Sequence, residues 1–485
     1  MPENDIFQQA LKSNDFHQFS PIDHGHPIQI SYYRSLVDAE KINRYLLPGI
    51  QENIDNLTLL DDIKRVIPFD DVSVTDDTGE VVTKLMKGYV IIQFKDDDLN
   101  FLIVNINHDD LGHRKSNETE NEFSVVGPKV GFVENIDINL HLLRQQINIP
   151  ALVLQEIKVG TISNTKVVIA YIDGITNPKH VQTMQQRLQA IHFDVVFDSS
   201  QLDQIISDHS NTPFPLFLST ERVDRVIFAI LCGQVAVFSD GSPYVITGPS
   251  TILDFFISPE DYHLPWIVGS FFRIIRIMSV FFSIFSTPLY IAILTYHFEV
   301  IPESLLEPLI NSRVHVPFPP VIEVIFLEIT IELLREAGAR LPAKIGQTLG
   351  IVGGIVIGQA SVQAAFTSNI LLIIVALSAL ASFTTPIFKM ANTIRLLRFP
   401  FILLAAFWGG FGIIVGFILL LGHLLRLKSL GTPYLVPLFP FRTSNFADSL
   451  VRLSFRYTTN RSVHLKPLSQ KRYKPNDVKE DIDHD

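Results

Sequence analysis

Apolar residues are spread unevenly along this chain. Up to about residue 265 they come in short runs broken by polar turns, and beyond it in runs long enough to fill helices. Gly88–Phe94 and Phe101–Ile106, separated by the acids at Asp96–Asp98, predict a pair of strands. Val167–Ile172 predicts a buried strand, Pro178–Ile191 a helix and Phe193–Phe197 a further strand, a βαβ order. Thr220–Leu231 has helical periodicity, and Val235–Phe238 turns through Asp240-Gly241-Ser242 into Tyr244–Thr247, a hairpin pattern. This half therefore predicts an acidic, flexible N-terminus (1–37) and two small α/β subdomains (38–150 and 151–265), with a mobile acidic loop over 107–122.

The second half reads differently. Apolar stretches at 270–296, 345–365, 370–388 and 401–425 approach the roughly 20 residues needed to cross a hydrocarbon core of about 30 Å. A bilayer interior offers no hydrogen-bond partners, so each is expected to be helical. The fold class is thus an α/β soluble N-terminal region followed by an α-helical polytopic membrane domain (266–426) of about four spans and a basic cytoplasmic tail (427–485). Between the first two spans lies 319–337, an apolar helix with Glu323, Glu328 and Glu332 along one stripe. Carboxylates do not face lipid. The segment is either an interfacial amphipathic or re-entrant helix, or a span whose acids line a cavity.

Charge divides the chain at the same place. Residues 1–265 hold 37 Asp/Glu against 19 Lys/Arg, while the remainder holds 13 against 20. The basic stretch from Arg426 to Lys474 places the tail in the cytoplasm. Met1–Asp15 has no apolar stretch of a signal peptide, so the N-terminal half is expected on that side too. One set of residues resists: Lys389, Arg395 and Arg398 then fall in an outer loop.

Few motifs carry chemistry. Gly127-Pro128-Lys129-Val130-Gly131 lacks the Lys-Ser/Thr ending of a phosphate loop and reads as a turn. His24 and His26 beside Asp23 lack the further ligand spacing of a metal site. The lone Cys232 excludes an intrachain disulfide and a Cys-rich metal site, and it reads as a small buried hydrophobe. No catalytic constellation or cofactor signature is found, so neither an enzyme nor a cofactor is expected, and a net charge of −11 argues against nucleic acid. A secondary transporter would show two related halves, and the chain has no internal repeat.

One helix stands out. Ile345–Phe366 combines Gly350, Gly353, Gly354 and Gly358 with weakly polar residues. At about 100° per residue, Gln347, Ile351, Gly354, Gly358, Ser361 and Ala365 share a face, with Gly350 and Val362 on its flanks. Such a face suits close helix packing. It equally suits the wall of a pore in an oligomer, with Glu323, Glu328 and Glu332 as the source of any ion selectivity.

Three long stretches carry a resemblance: Val126–Ile147, Pro213–His263 and Val316–Val362. Together they resemble the A subunits of GerA-type spore germinant receptors, over about residues 38–466. The resemblance implies a channel-forming, oligomeric subunit of a receptor in the spore inner membrane. Its implied partners are a transporter-like B subunit that binds the nutrient and a lipoprotein C subunit. Nutrient binding would open a path for monovalent cations. Gln363 stands where many relatives carry an acid, which alters the charge at one mouth of such a path.

Overall fold

The computed structural model describes residues 3–21, 28–53, 57, 59–94, 97–107, 122, 126–341, 343–441 and 448–472. Asp23, His24, His26 and most of the acidic stretch 107–122 lie outside the described residues.

The first unit is built on strands β1 (Phe16–Phe19), β2 (Ile28–Tyr33), β3 (Val72–Thr75), β4 (Tyr89–Phe94) and β5 (Asp97–Asn105) in the order β1-β2-β4-β5-β3, all antiparallel. Successive side chains of a strand point to opposite faces. Val90, Ile92, Leu102 and Val104 therefore enter one core, and Ile91, Phe101 and Ile103 the other. Both faces are covered, by α1 (Glu3–Ala10), α2 (Ala39–Lys41), α3 (Leu47–Glu52), α4 (Leu60–Val66) and α5 (Thr78–Leu85). That double burial is why β4 and β5 read as continuous apolar runs.

Two expectations change here. Residues 1–37 are not a separate flexible arm, because β1 and β2 are the first strands of the sheet, and Asn14 N–H donates to Leu154 O of the second unit at 2.8 Å. The division at residue 150 also moves toward the N-terminus. Helix α6 (Ile136–Gln146) buries Ile136, Leu140 and Leu143 on the second sheet, not the first.

The second sheet has β6 (Leu152–Val159), β7 (Thr165–Ile172), β8 (Leu218–Thr220), β9 (Val235–Ser239) and β10 (Val245–Gly248) in the order β6-β7-β9-β10-β8. All its pairings are antiparallel, including the β9–β10 hairpin read from the sequence. Helix α6 and α9 (Val223–Cys232) cover one face. Helices α7 (Pro178–Gln189) and α8 (Ser199–Ile206) cover the other. The expected βαβ unit is absent, because Phe193–Phe197 is not a strand. Its Phe193 and Asp194 carbonyls instead accept from the N–H groups of Thr161, Ile162 and Ser163, bracing the β6–β7 turn, while Phe193 and Phe197 stay exposed.

After α10 (Glu260–His263) come α11 (Trp266–Tyr296), α12 (Glu303–Arg313), α13 (Pro320–Arg340), α14 (Ala343–Gln363), α15 (Asn369–Ser382) and α16 (Phe388–Arg426). Among the described residues, α11 and α16 are long and apolar enough to cross a bilayer. Helix α16 is not straight. At Gly409 the backbone takes φ 59°, ψ −138°, and the chain turns back on itself. A Cβ on Gly412 would meet Leu404, and one on Gly416 would meet Leu404 and Phe401. The stretch 401–425, expected as one span, thus holds the turn of a helical hairpin with arms 388–408 and 410–426.

Both arms root in the second unit. Lys389 pairs with Asp203 at 2.6 Å, and His423 Nε2 meets Thr212 Oγ1 at 3.0 Å. At the far end, Tyr296 OH donates to Ala406 O at 2.9 Å, and Gly410 N–H donates to His297 Nε2 at 3.2 Å. The three cations that resisted the topology therefore belong to the first arm, whose root carries Lys389 on the soluble side. Helix α13 runs the other way, with Glu323 near Tyr290 and Arg335 back beside Arg222 and Arg395.

The basic tail, where described, is docked on the second unit. After the hairpin of β11 (Lys428–Ser429) and β12 (Thr432–Pro433), Tyr434 is buried. Arg452 donates to Leu264 O and Tyr262 O, and Arg461 to Leu231 O at 2.8 Å.

Candidate functional site in the helical region

The apolar interior of the bundle is formed by Tyr290, Ile291, Val324, Leu327, Leu371, Val375, Ile402 and Ala405. Two ion pairs are sealed beside it. Glu323, fully buried, accepts from Arg313 at 2.6 Å and from the N–H of Ser368 at 3.3 Å. Ser368 also caps α15, its hydroxyl accepting from Leu371 N–H at 3.2 Å. The acid thus fastens α12, α13 and the start of α15 at one point.

Glu328, 1% exposed, accepts from Arg398 Nη1. The other guanidinium atoms are used as well: Nε donates to Ser283 O at 2.9 Å, Nη2 to Ser283 Oγ at 2.8 Å and to Ser378 O at 3.4 Å. One arginine therefore ties α11, α13, α15 and the first arm of α16 together. Water is excluded, so this interaction is much less screened than a surface pair. Thr287 of α11 lies against Glu328 as well, its hydroxyl directed at the carboxylate. Glu332, the third acid of the stripe, is half-buried and pairs with Arg335 on its own helix. Two acids of the stripe, Glu323 and Glu328, thus face protein, and the third is partly exposed.

Over its described side chains, 353–363, helix α14 is packed sparsely on its own chain. A Cβ on Gly353 would meet Leu334 of α13, and one on Gly358 would meet Leu372 of α15. Ser361 is buried, its hydroxyl donating to Ile357 O at 2.7 Å, and Val362 is half-buried. Gly354 is open, and a Cβ there would meet nothing within 4 Å. Ala365 lies beyond the helix at φ 58°. Gln347, Gly350 and Ile351 are in the helix, but their side chains lie outside the described residues. The face left uncovered is a different one: Val356, Gln359 and Gln363, flanked by Ile355 and Ala360.

At the base of the bundle Asp261 receives Arg273 at 3.2 Å and Arg276 at 3.1 Å. Cys232 ends α9, and burial pushes its thiol up to about 11, so it is protonated at neutral pH. The turn 127–131 has exposed residues before Gly131 and opens no helix directly, which leaves no phosphate cradle. Among the described residues no group of His, Cys, Asp and Glu is arranged to hold a metal ion.

The profile of the family GerA, the Bacillus/Clostridium GerA spore germination protein, matches residues 4–464. The chain belongs to this family. The spore germination protein GerQA of Bacillus cereus is 47% identical over 98% of this chain and 94% of its own length. GerIA of the same organism is 47% identical over 96% of this chain and 70% of its own length. The N-terminal domain of the A subunit of the Bacillus megaterium spore germinant receptor GerK3 aligns at 27% identity and TM-score 0.37, covering 51% of this chain and 93% of that one.

For this GerA-family chain, the sequence showed the acids of α13 but not their partners. Arg398 lies 70 residues from Glu328, and Arg313 lies before a proline-rich turn. The signal that pointed to them was the presence of arginines inside or beside apolar runs, since a buried charge needs a counter-charge.

Proposed function

We propose that this chain is the A subunit of a nutrient germinant receptor in the spore inner membrane, and that copies of it assemble with α14 as the wall of a gated path for monovalent cations. A transporter-like B subunit and a lipoprotein C subunit would complete the receptor and supply the nutrient pocket. The reading is supported by family membership and by the two apolar helices long enough to cross a bilayer.

The single observation that carries the conducting role is the uncovered face of α14. Gln359 and Gln363 are exposed on it beside Val356. An amide side chain turned toward hydrocarbon loses its hydrogen bonds at a cost of a few kcal/mol. Facing water or a second copy of the helix removes that cost. Part of the stripe first read from the sequence, Gly358 and Ser361, would then set the packing of α14 on its own chain, with Val362 at the edge.

The arrangement of ends favours a membrane with both termini on one side. The helices α11, α13, α14, α15 and the two arms of α16 alternate in direction. An even number of passes returns the tail to the soluble units, in the cytoplasm.

The test is monovalent cation flux in liposomes containing the full chain, alone and with its B and C partners. Gln359→Leu is expected to lower flux at least about tenfold, while Val362→Ala raises basal leak. Flux identical in wild type and both variants would remove α14 from the path. A complex that assembles and responds to nutrient without flux through this chain would make it a relay scaffold.

A further inference from the structure

Where the helical region meets the second sheet unit there is a cavity of about 460 Å³. Its wall carries Arg222, Arg225, Arg276, Arg335 and Arg395 against Glu122 and Glu260. Four of these guanidinium groups are engaged. Arg222 pairs with Asp224 at 2.7 Å and Arg276 with Asp261 at 3.1 Å. Arg335 pairs with Glu332, and Arg225 donates to Asp254 O and Ile257 O with Glu122 at 3.8 Å.

Arg395 is different. It is 5% exposed, its guanidinium lies 5.7 Å from the Phe383 ring, and one nitrogen donates to Asn392 Oδ1. Its Nε is buried with no hydrogen-bond partner, and no carboxylate among the described residues is ion-paired with it. A second lining group has the same defect: Thr385, 6% exposed, has a buried hydroxyl without a hydrogen-bond partner among the described residues. The carboxylate that acts on Arg395 electrostatically, Glu332, is already bound to Arg335, and a buried guanidinium with an unused donor is an unfavourable arrangement. A guanidinium and a hydroxyl lining one cavity supply donors suited to a tetrahedral oxyanion.

We propose that this cavity, where the helical region faces the second unit, binds a phosphate-type anion through Arg395 and Thr385. The anion is either the headgroup phosphate of an acidic lipid or a free phosphate; the lipid source rests on the membrane reading given above, the free source does not. The cavity sits at the base of the bundle, the depth at which lipid headgroups meet basic side chains.

The experiment follows thermal unfolding of the full chain in a neutral detergent, with inorganic phosphate titrated against chloride at equal ionic strength. A second arm uses phosphatidylcholine nanodiscs with and without phosphatidylglycerol. Wild type is expected to gain stability with phosphate, with phosphatidylglycerol, or with both, and the arm that responds identifies the source. Arg395→Gln is expected to weaken the apparent affinity more than about tenfold, with Arg395→Lys recovering part of it. Without anion, Arg395→Gln should be at least as stable as wild type, since it removes an unpaired charge. No response in either arm, or an equal response in Arg395→Gln, overturns the site. If Arg395→Gln does not fold, Thr385→Val carries the same comparison, and an unchanged response there overturns it.

Discussion

At the scale of single residues, the bundle depends on charges that hydrocarbon alone would not tolerate. Arg398 spends its guanidinium on Glu328, Ser283 and Ser378, leaving no part of it to solvent. Removing one partner of such a pair leaves the other uncompensated, typically at about 3–5 kcal/mol. Arg398→Met is therefore expected to lower the unfolding midpoint of the detergent-solubilised chain sharply. The double variant Arg398→Met, Glu328→Leu should recover most of the loss, because an apolar pair of similar volume carries no desolvation penalty. A double variant as unstable as the single one would contradict this account. The acid at Glu328 was legible in the sequence as a charge within an apolar helix. Its partner was not, because only folding brings residues 70 apart into contact.

At the scale of elements, the least expected feature is the reversal at Gly409. The run 401–425 has the length and hydrophobicity of one span, and nothing in its composition distinguishes one straight helix from the second half of a hairpin. The decisive residue is a glycine with φ 59° and ψ −138°, a region where side chains are strained. A Cβ there would also lie 2.8 Å from the Tyr296 ring. Gly409→Ala is expected to cost about 1–3 kcal/mol, read as a lower unfolding midpoint. Gly422→Ala, where nothing lies within 4 Å, should instead be neutral or gain up to about 1 kcal/mol of helix propensity. Equal behaviour of the two variants would mean that the turn does not depend on its glycine. The β9–β10 hairpin, by contrast, was legible because Asp240-Gly241-Ser242 encodes its turn locally, with Gly241 at φ 80°. Phe193–Phe197 failed as a strand because its carbonyls serve a neighbouring turn instead of a ladder.

At the scale of the whole molecule, the soluble units, the roots of α16 and the docked tail share one side, with the α12 region on the other. Ser304 and Gln470 are both exposed and mark these two sides. In intact right-side-out vesicles, Ser304→Cys is expected to react with an impermeant maleimide, and Gln470→Cys only after the membrane is opened. The native Cys232 thiol, protonated and packed at the end of α9, should give little background. Labelling of both positions in intact vesicles would break the proposed even-pass arrangement.

The sequence by itself determined the division into an acidic α/β half and an apolar helical half, the strands β4, β5, β7, β9 and β10, and the family. These rest on local periodicity, turn chemistry and long ordered stretches, which are properties of neighbouring residues. Only the tertiary structure decided that α6 serves the second sheet, that Arg313 and Arg398 neutralise Glu323 and Glu328, and that α16 folds back on itself. The uncovered face of α14 belongs with these. Each depends on which distant surfaces exclude water from one another, and no local window of sequence contains that information.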